Sequence, residues 1–534
     1  MNHTEPTRRE FLLVPMQPTP NGALHVGHAA GPYLRADALA RHLRRSGHRV
    51  QVICGSDAYE NWVLLDSLRN HRSPEETCDL FHRRIRRDLA NLDMSLDDYI
   101  TPLDPAHTAS YARVHEEIVD GLIAGGAAQL VRERFPVSSG SGRYVVGVWL
   151  LGRCPNCGKD AAGNSCEACG YHFQPSEVLE PRARLDDEGP LTWREEDCWY
   201  ATPDSRTRLL DLIEGRGAPA ELVAVARRYV EQTGGRVRLT IPSAWGIKGR
   251  HTSENTVLCN TYYAYTVYCG ALYHGLETGR NALAADSDVP VVALFGIDNL
   301  TGGLVAPCSI ALGHAGLKPF DHVVVNYFLD LEGSKFSTSR GHLILLSDIL
   351  EGSSVTADEL RCFLSRIDLE SGPANFTVRE FVDRTNDLRE LTRRLVVPAL
   401  ARAGAGDRPA SPDAALLARI GDLLDRQARY LSPDRVSLHR AVEPLDAWFQ
   451  EAQAARDERA FWWLRGLALL AEPFMPRLAG HLWTSLGGEG RPETSGLASP
   501  PARVGGPPLD VPGPLHEREV APFVRLTHGL AAGR

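Results

Sequence analysis

Lysine is nearly absent from this chain: of 58 basic residues only four are lysine, at positions 159, 248, 318 and 335. Arginine fills the role elsewhere, an exchange that codon drift in a GC-rich genome produces, so each surviving lysine needs its own explanation. No run of eighteen apolar residues occurs, which excludes a membrane-spanning helix of ordinary kind. The polar first ten residues lead straight into the short apolar run 11–14, which lacks the longer apolar centre of a secretory signal. Eleven cysteines in 534 residues are too few and too scattered for a disulfide scaffold, although four fall together between 154 and 169. An excess of positive charge is also missing: a net charge of -9 argues against a surface made wholly for nucleic acid while leaving room for a local basic patch. These absences imply a multidomain chain of a reducing compartment, expected to be the cytoplasm.

What is present begins with a strand over 11–15, a Pro/Gly loop, a helix over about 27–47 and a second strand over 50–54. In that helix Ala36, Leu39, Ala40 and Leu43 share one face, with Asp37, Arg41 and Arg45 opposite, so one face is expected on a sheet and the other in water. Texture divides the chain into a first α/β half (1–119), an inserted region with many glycines (120–235), and a second α/β half (236–330) with buried-strand runs at 289–295 and 323–329. A Ser/Gly loop region (331–375), a helix bundle (376–487) and a Gly/Pro-rich tail (488–534) follow. Helical spacing in the bundle covers 381–401, 414–430, 437–455 and 458–486.

Three motifs carry chemistry. Between the first strand and helix stands Pro18-Thr19-Pro20-Asn21-Gly22-Ala23-Leu24-His25-Val26-Gly27-His28, where free backbone N–H groups suit an anion, Gly27 permits close approach and two imidazoles three residues apart share a side. Taken alone, such histidines read equally well as capping or surface residues. Lys335 lies in Gly333-Ser334-Lys335-Phe336-Ser337-Thr338-Ser339-Arg340, a mobile cation above a polyphosphate or an ordinary solvated loop. Cys154-Pro155-Asn156-Cys157 and Cys166-Glu167-Ala168-Cys169 form CxxC-x8-CxxC, four thiolates on two turns suited to tetrahedral structural Zn²⁺. Two copies in a Gly-rich stretch speak against a redox pair.

In this order and context the motifs resemble the HIGH and KMSKS signatures of class I aminoacyl-tRNA synthetases, and the segment 170–181 after the knuckle resembles the methionyl-tRNA synthetase family. The resemblance implies an α/β fold: a Rossmann-type parallel-sheet nucleotide-binding domain, split by the zinc-knuckle insertion and followed by an α-helix bundle. It implies activation of an α-amino acid by ATP, with Mg²⁺, as aminoacyl-AMP. His25, His28 and Lys335 would be catalytic. Asn21, Gly27, Gly296, Asp298, Lys335, Ser337 and Thr338 would bind ATP; Asp57, Thr19, Val257, Leu258, Thr261, Tyr265, Asn299 and Gly303 would bind the amino acid; Cys154, Cys157, Cys166 and Cys169 would hold the metal.

The departures from the family pattern are specific. Thr338 stands where a second lysine is usual, Leu258 replaces a tryptophan, Thr19 a tyrosine, and Gly302 and Gly303 replace an aromatic residue and a histidine. In the bundle, Pro398 stands for an asparagine and no Ala-Pro-Trp element appears near Trp448. They imply a remodelled amino-acid pocket and an acyl acceptor that is a small molecule, for example an N-hydroxylated amine in hydrazine-type specialised metabolism with a separate cupin partner. The alternatives are an authentic divergent enzyme charging tRNA, and a weakened homologue binding RNA or protein.

Overall fold

A computed structural model of the chain describes residues 8–166, 169, 171–185, 189–258, 266–336, 341–404, 413–494, 497 and 504–526. At its centre five parallel strands, β1 (Glu10–Pro15), β2 (Arg49–Gly55), β3 (Asp98–Ile100), β4 (Val291–Gly296) and β5 (His322–Asn326), lie in the order β5-β4-β1-β2-β3. Their near-continuous apolar runs follow from burial on both faces. Leu13, Val52 and Leu294 face one core, and Leu12, Val14, Ile53 and Ala293 face the other. Helices α1 (Leu34–Arg45), α2 (Asn61–Arg69), α3 (Thr266–Thr278) and α4 (Ala357–Ser365) surround the sheet or its carboxyl edge. No described helix is long and apolar enough to cross a membrane.

The expected single helix over 27–47 is interrupted. A short turn Val26–His28 passes into a wide turn Ala29–Tyr33 before α1 begins, because Gly31 has a non-helical ψ of -122° and Pro32 has no N–H to donate. A Cβ on Gly31 would come within 3.2 Å of the Asn326 side chain, so the kink also lets the chain approach β5. The strand expected over 323–329 likewise ends at Asn326, where the Tyr327 N–H bonds Leu369 instead (2.8 Å) and draws the chain away from β4. Leu329–Leu331 then forms its own small sheet with Ser334–Lys335 and Ala374–Phe376.

The polar face of α1 does not meet water. Asp37, Arg41 and Arg45 are all buried, and so is Arg361 on α4. The Asp37 carboxylate accepts from Arg41 (2.6 Å) and Arg361 (2.6 Å), Arg41 reaches Glu472 (3.2 Å), and Arg45 donates to Gln427 (2.9 Å). Despite burial, the Arg41 and Arg361 charges hold the Asp37 carboxyl down at about 2. Charges that the helical pattern assigns to solvent therefore join the first α/β half to the bundle. The first core continues without a break from α1 to Trp448, Trp462 and Trp463.

Between the two α/β halves, an antiparallel sheet pairs Ala128–Ser138 with Leu191–Ala201, and a smaller one pairs Leu150–Arg153 with Asp160–Ala162 and Leu179–Ala183. After Ala374–Phe376 the described residues are mainly helical up to Ser485, apart from a short hairpin that pairs Leu431–Ser432 with Arg435–Val436. The helix expected over 458–486 is two, Ala460–Ala471 and Pro476–Ser485, separated at Pro473 and Pro476; the one expected over 437–455 ends at Phe449. Part of the tail packs against the bundle: the Asn386 side chain bonds both backbone groups of Leu515, and Arg525 pairs with Asp348 (2.8 Å) beside Leu343.

Candidate active site

The strand order reverses between β1 and β4, and at their carboxyl ends lies a cavity of about 400 Å³. That is the place where open parallel sheets bind ligands, since the connections on either side diverge there. Thr19, His25, Gly27, His28, Asp57, Gly296, Asp298, Asn299 and Lys335 all line it, so residues nearly 320 positions apart in sequence share one cavity.

The histidine motif is zippered to the segment that follows the lysine loop. The Val26 N–H bonds the Ile344 carbonyl and the Leu346 N–H bonds the Leu24 carbonyl (both 2.9 Å), while Asp88 accepts from the Leu24 N–H (3.0 Å). The imidazoles cap one another's backbone: the His25 N–H donates to His28 Nδ1 (3.2 Å) and the His28 N–H to His25 Nδ1 (3.3 Å). Each Nδ1 is thus an acceptor, which leaves each neutral ring with its proton on Nε2. The rings stack with centroids 3.7 Å apart, and Phe336 stacks on His25 at 5.1 Å. Burial lowers both histidines, His28 to about 4 and His25 well below its usual value with His28 adding to the effect. A Cβ at position 27 would lie 3.1 Å from the His25 ring and 3.3 Å from Phe336, so glycine there keeps the stack closed.

Lys335 reaches the cavity from a tight hairpin, made by Glu332 and Gly333 with φ of 49° and 82°, and its ammonium sits 3.8 Å from the Phe328 ring centroid. Of the other lysines, Lys248 is held by three backbone carbonyls and Lys318 by two carbonyls and Asp321. Those two are structural ties, and Lys159 lies exposed on the insertion. Across the cavity, burial raises the Asp298 carboxyl with Lys335 opposing it, and Asp298 accepts from the Asn299 amide (3.1 Å). Gly296 clears room for Asp298, whose carboxylate would be 2.7 Å from a Cβ there.

Asp57 follows β2 and is buried, with no hydrogen bond or ion pair to its carboxylate from the described residues; burial raises it to about 7. Motif reading missed several neighbours. Glu60, at the start of α2, is pushed well above the usual carboxylate range by burial and then by Asp57. Gln17, two residues after β1, lines the cavity at 3% exposure. Phe336 and Asn326 complete the wall. The only signals for Gln17 and Glu60 were a polar residue two positions after an apolar strand and an acid three residues beyond Asp57.

Some expected residues are elsewhere. Val257 and Leu258 are fully buried in the second core on the short strand Thr256–Leu258, paired to Thr240–Pro242, and do not line the cavity. Gly303 is buried under Phe295, whose ring a Cβ would meet at 2.5 Å, and Asn21 folds back to donate its N–H to the Thr19 carbonyl (2.9 Å). Thr261, Tyr265, Ser337 and Thr338 lie outside the described residues.

The four knuckle cysteines converge, every sulfur within 4.8 Å of the others. Cys154 and Cys169 Sγ are 3.7 Å apart and Cys157 and Cys166 Sγ 3.6 Å, close to the roughly 3.8 Å edge of a tetrahedron with metal–sulfur bonds of about 2.3 Å. The Asn156 amide, first among several donors, holds the Cys169 thiol down at about 6. The set fits one tetrahedral ion. A second cluster, Asp368, Glu370 and His439, is already engaged by Arg35 and is an ion-pair network.

A parallel sheet opened at its switch point, with two Nε2–H imidazoles and a hairpin lysine on one wall, defines an ATP-dependent, adenylate-forming ligase of class I build. The chain belongs to the methionyl-tRNA synthetase family: the model for tRNA synthetases class I (M) matches residues 14–397. Similar proteins include the methionine--tRNA ligase of Protochlamydia amoebophila, 27% identical over 90% of this chain and 73% of that protein, and that of Thermomicrobium roseum, 29% identical over 88% and 85%. Among solved structures, Mycobacterium tuberculosis methionyl-tRNA synthetase bound to methionyl-adenylate matches with TM-scores of 0.69 and 0.71 at 18% and 20% identity, covering 94% of this chain and 99% of that one.

Proposed function

We propose that the cavity joins an α-amino acid to ATP as an aminoacyl-adenylate. The observation that carries this reading is the polarity of the cavity, with phosphate donors at one end and a cation acceptor at the other. Asp57 takes the substrate's α-ammonium. The substrate carboxylate oxygen attacks the α-phosphorus of ATP, the bond to the β-phosphate breaks, and pyrophosphate leaves. His25 and His28 direct Nε2–H at the α-phosphate as negative charge builds, and Lys335 covers the leaving pyrophosphate. Gly27, Gly296, Asp298, Ser337 and Thr338 hold the nucleotide; Thr19 and Asn299 flank the amino acid. Mg²⁺ bound to ATP would supply neutralisation of its polyphosphate charge. Amino-acid-dependent ATP–pyrophosphate exchange, measured over all amino acids, is the expected result; no exchange with any of them sinks the reading.

The acceptor we favour is a small molecule such as an N-hydroxylated amine, with any cupin as a separate protein. Reading single-stranded bases requires exposed aromatic faces, and among the described bundle residues every aromatic side chain except the half-buried Tyr430 is buried. The names of the relatives favour tRNA, and methionine as the amino acid. Acylation assays with tRNA and with small amines separate the two, and charging of tRNA at rates matching exchange would overturn our choice. For the knuckle we propose structural Zn²⁺ held by Cys154, Cys157, Cys166 and Cys169. Metal analysis should give one zinc per chain, and Cys157→Ser should lower it; full occupancy in that variant would refute the assignment.

A further inference from the structure

Gln17 is the least expected side chain in the cavity. It is 97% buried, and neither its amide nitrogen nor its amide oxygen has a hydrogen-bond partner among the described residues. A leucine of similar reach would leave nothing unmet there, whereas a buried amide without partners is costly unless something bonds it. Two glycines clear its place: a Cβ on Gly55 would meet Gln17 Cδ at 3.2 Å, and one on Gly270 of α3 would meet its Nε2 at 2.1 Å. Two residues beyond Gly55 is Asp57, and Glu60 lines the same cavity.

The Asp57 and Glu60 carboxylates also lack a cation among the described residues, although the half-buried Glu60 accepts from the Asn61 backbone N–H. Neither Asp57 nor Glu60 is ion-paired to a described residue, and the one lysine or arginine among the described lining residues is Lys335, which sits over Phe328 beside Asp298. An α-ammonium satisfies a single carboxylate. Once Asp57 takes it, Glu60 and the Gln17 amide remain.

We propose that the amino acid activated here carries an N–H-donating polar side chain, a basic or amide one, read by the Glu60 carboxylate and the Gln17 amide. The inference rests on the adenylation reading and deepens it. A thioether or hydrocarbon side chain offers neither group a hydrogen bond, leaving the Gln17 amide desolvated and the Glu60 charge without a cation, the situation in which hydrogen-bonding sites reject apolar analogues most strongly. The mutual repulsion of Asp57 and Glu60, which raises Glu60, is relieved when cationic groups arrive.

The test uses the full-length protein, with Gln17→Leu and Glu60→Gln, and two readouts: ATP–pyrophosphate exchange, and the thermal shift produced by lysine, arginine, glutamine, methionine and leucine without ATP. The wild type should exchange with a basic or amide amino acid at a KM about 100-fold or more below that for methionine. Each variant should raise that KM by about 10- to 100-fold and change the value for methionine or leucine by no more than a few-fold. Gln17→Leu removes a buried amide rather than a bonded one, so it should fold, and Glu60→Gln tests the same claim at a second position. Methionine-first exchange with an order unchanged by Gln17→Leu overturns the inference and leaves adenylation standing. A polar-selective thermal shift lost in Gln17→Leu, with no exchange, supports the inference and overturns adenylation. Neither signal overturns both.

Discussion

At one end of the cavity, His25 and His28 have each Nδ1 bonded to a backbone N–H and their rings stacked beneath Phe336; at the other, Asp57 and Glu60 have no cation among the described residues and the Gln17 amide has no hydrogen-bond partner among them. The first end is complete before any ligand arrives. Its hydrogen bonds fix tautomer and orientation, so no reorganisation is needed when charge develops on phosphate. The second end is held in an unfavourable state that a substrate relieves, and in which selectivity resides. A nucleotide common to every member of a family can be met by a finished surface, whereas the variable substrate is met by groups left desolvated for it.

The contrast can be broken at several points. Lys335→Ala or His28→Asn should cut the exchange rate by about 10²- to 10³-fold with the amino-acid KM nearly unchanged, and Lys335→Arg should restore little, since a planar guanidinium does not reproduce an ammonium point charge. Steady-state exchange kinetics check this; a change confined to the amino-acid KM would erase the division between the ends. Asp57→Asn should do the converse, raising the amino-acid KM by about 10- to 100-fold while the ATP KM stays put.

The smallest effect is that of pH. Burial raises Asp57 to about 7, and its ionised form binds the ammonium, so the amino-acid KM should fall by roughly ten-fold between pH 6 and 8 and then level off. Linkage gives the same sign. The folded protein binds this proton more tightly than the unfolded chain, so the contribution of Asp57 to ligand-free stability is greatest below about pH 4 and declines as pH rises towards 7. Added amino acid should flatten that decline in thermal melts; a pH-independent KM would remove Asp57 from the ammonium site.

Much of this was legible in sequence. The apolar runs at 11–15 and 289–295 could only be strands covered on both faces, and the interval between His25 and Lys335 was bridged by a family motif rather than by local pattern. The break at Gly31-Pro32 was present in the residues but hidden by good helical spacing beyond it. Asp37, Arg41 and Arg45 read as a wet face because their partners Arg361, Gln427 and Glu472 lie more than 300 residues away, and periodicity registers polarity without registering who neutralises it. Gln17 illustrates the same blindness at the site. One polar residue after a strand looks like the start of a loop until the space around it is known.

The scarcity of lysine has a practical corollary. With Lys248 and Lys318 tied to carbonyls and Lys159 far out on the insertion, an amine-selective acylating reagent has few addresses on this protein, and Lys335 is the one that borders the cavity. Mass spectrometry of Lys335 modification, with and without ATP, therefore reads occupancy of the site from a single peptide, a built-in chemical reporter that a lysine-rich homologue would bury in background.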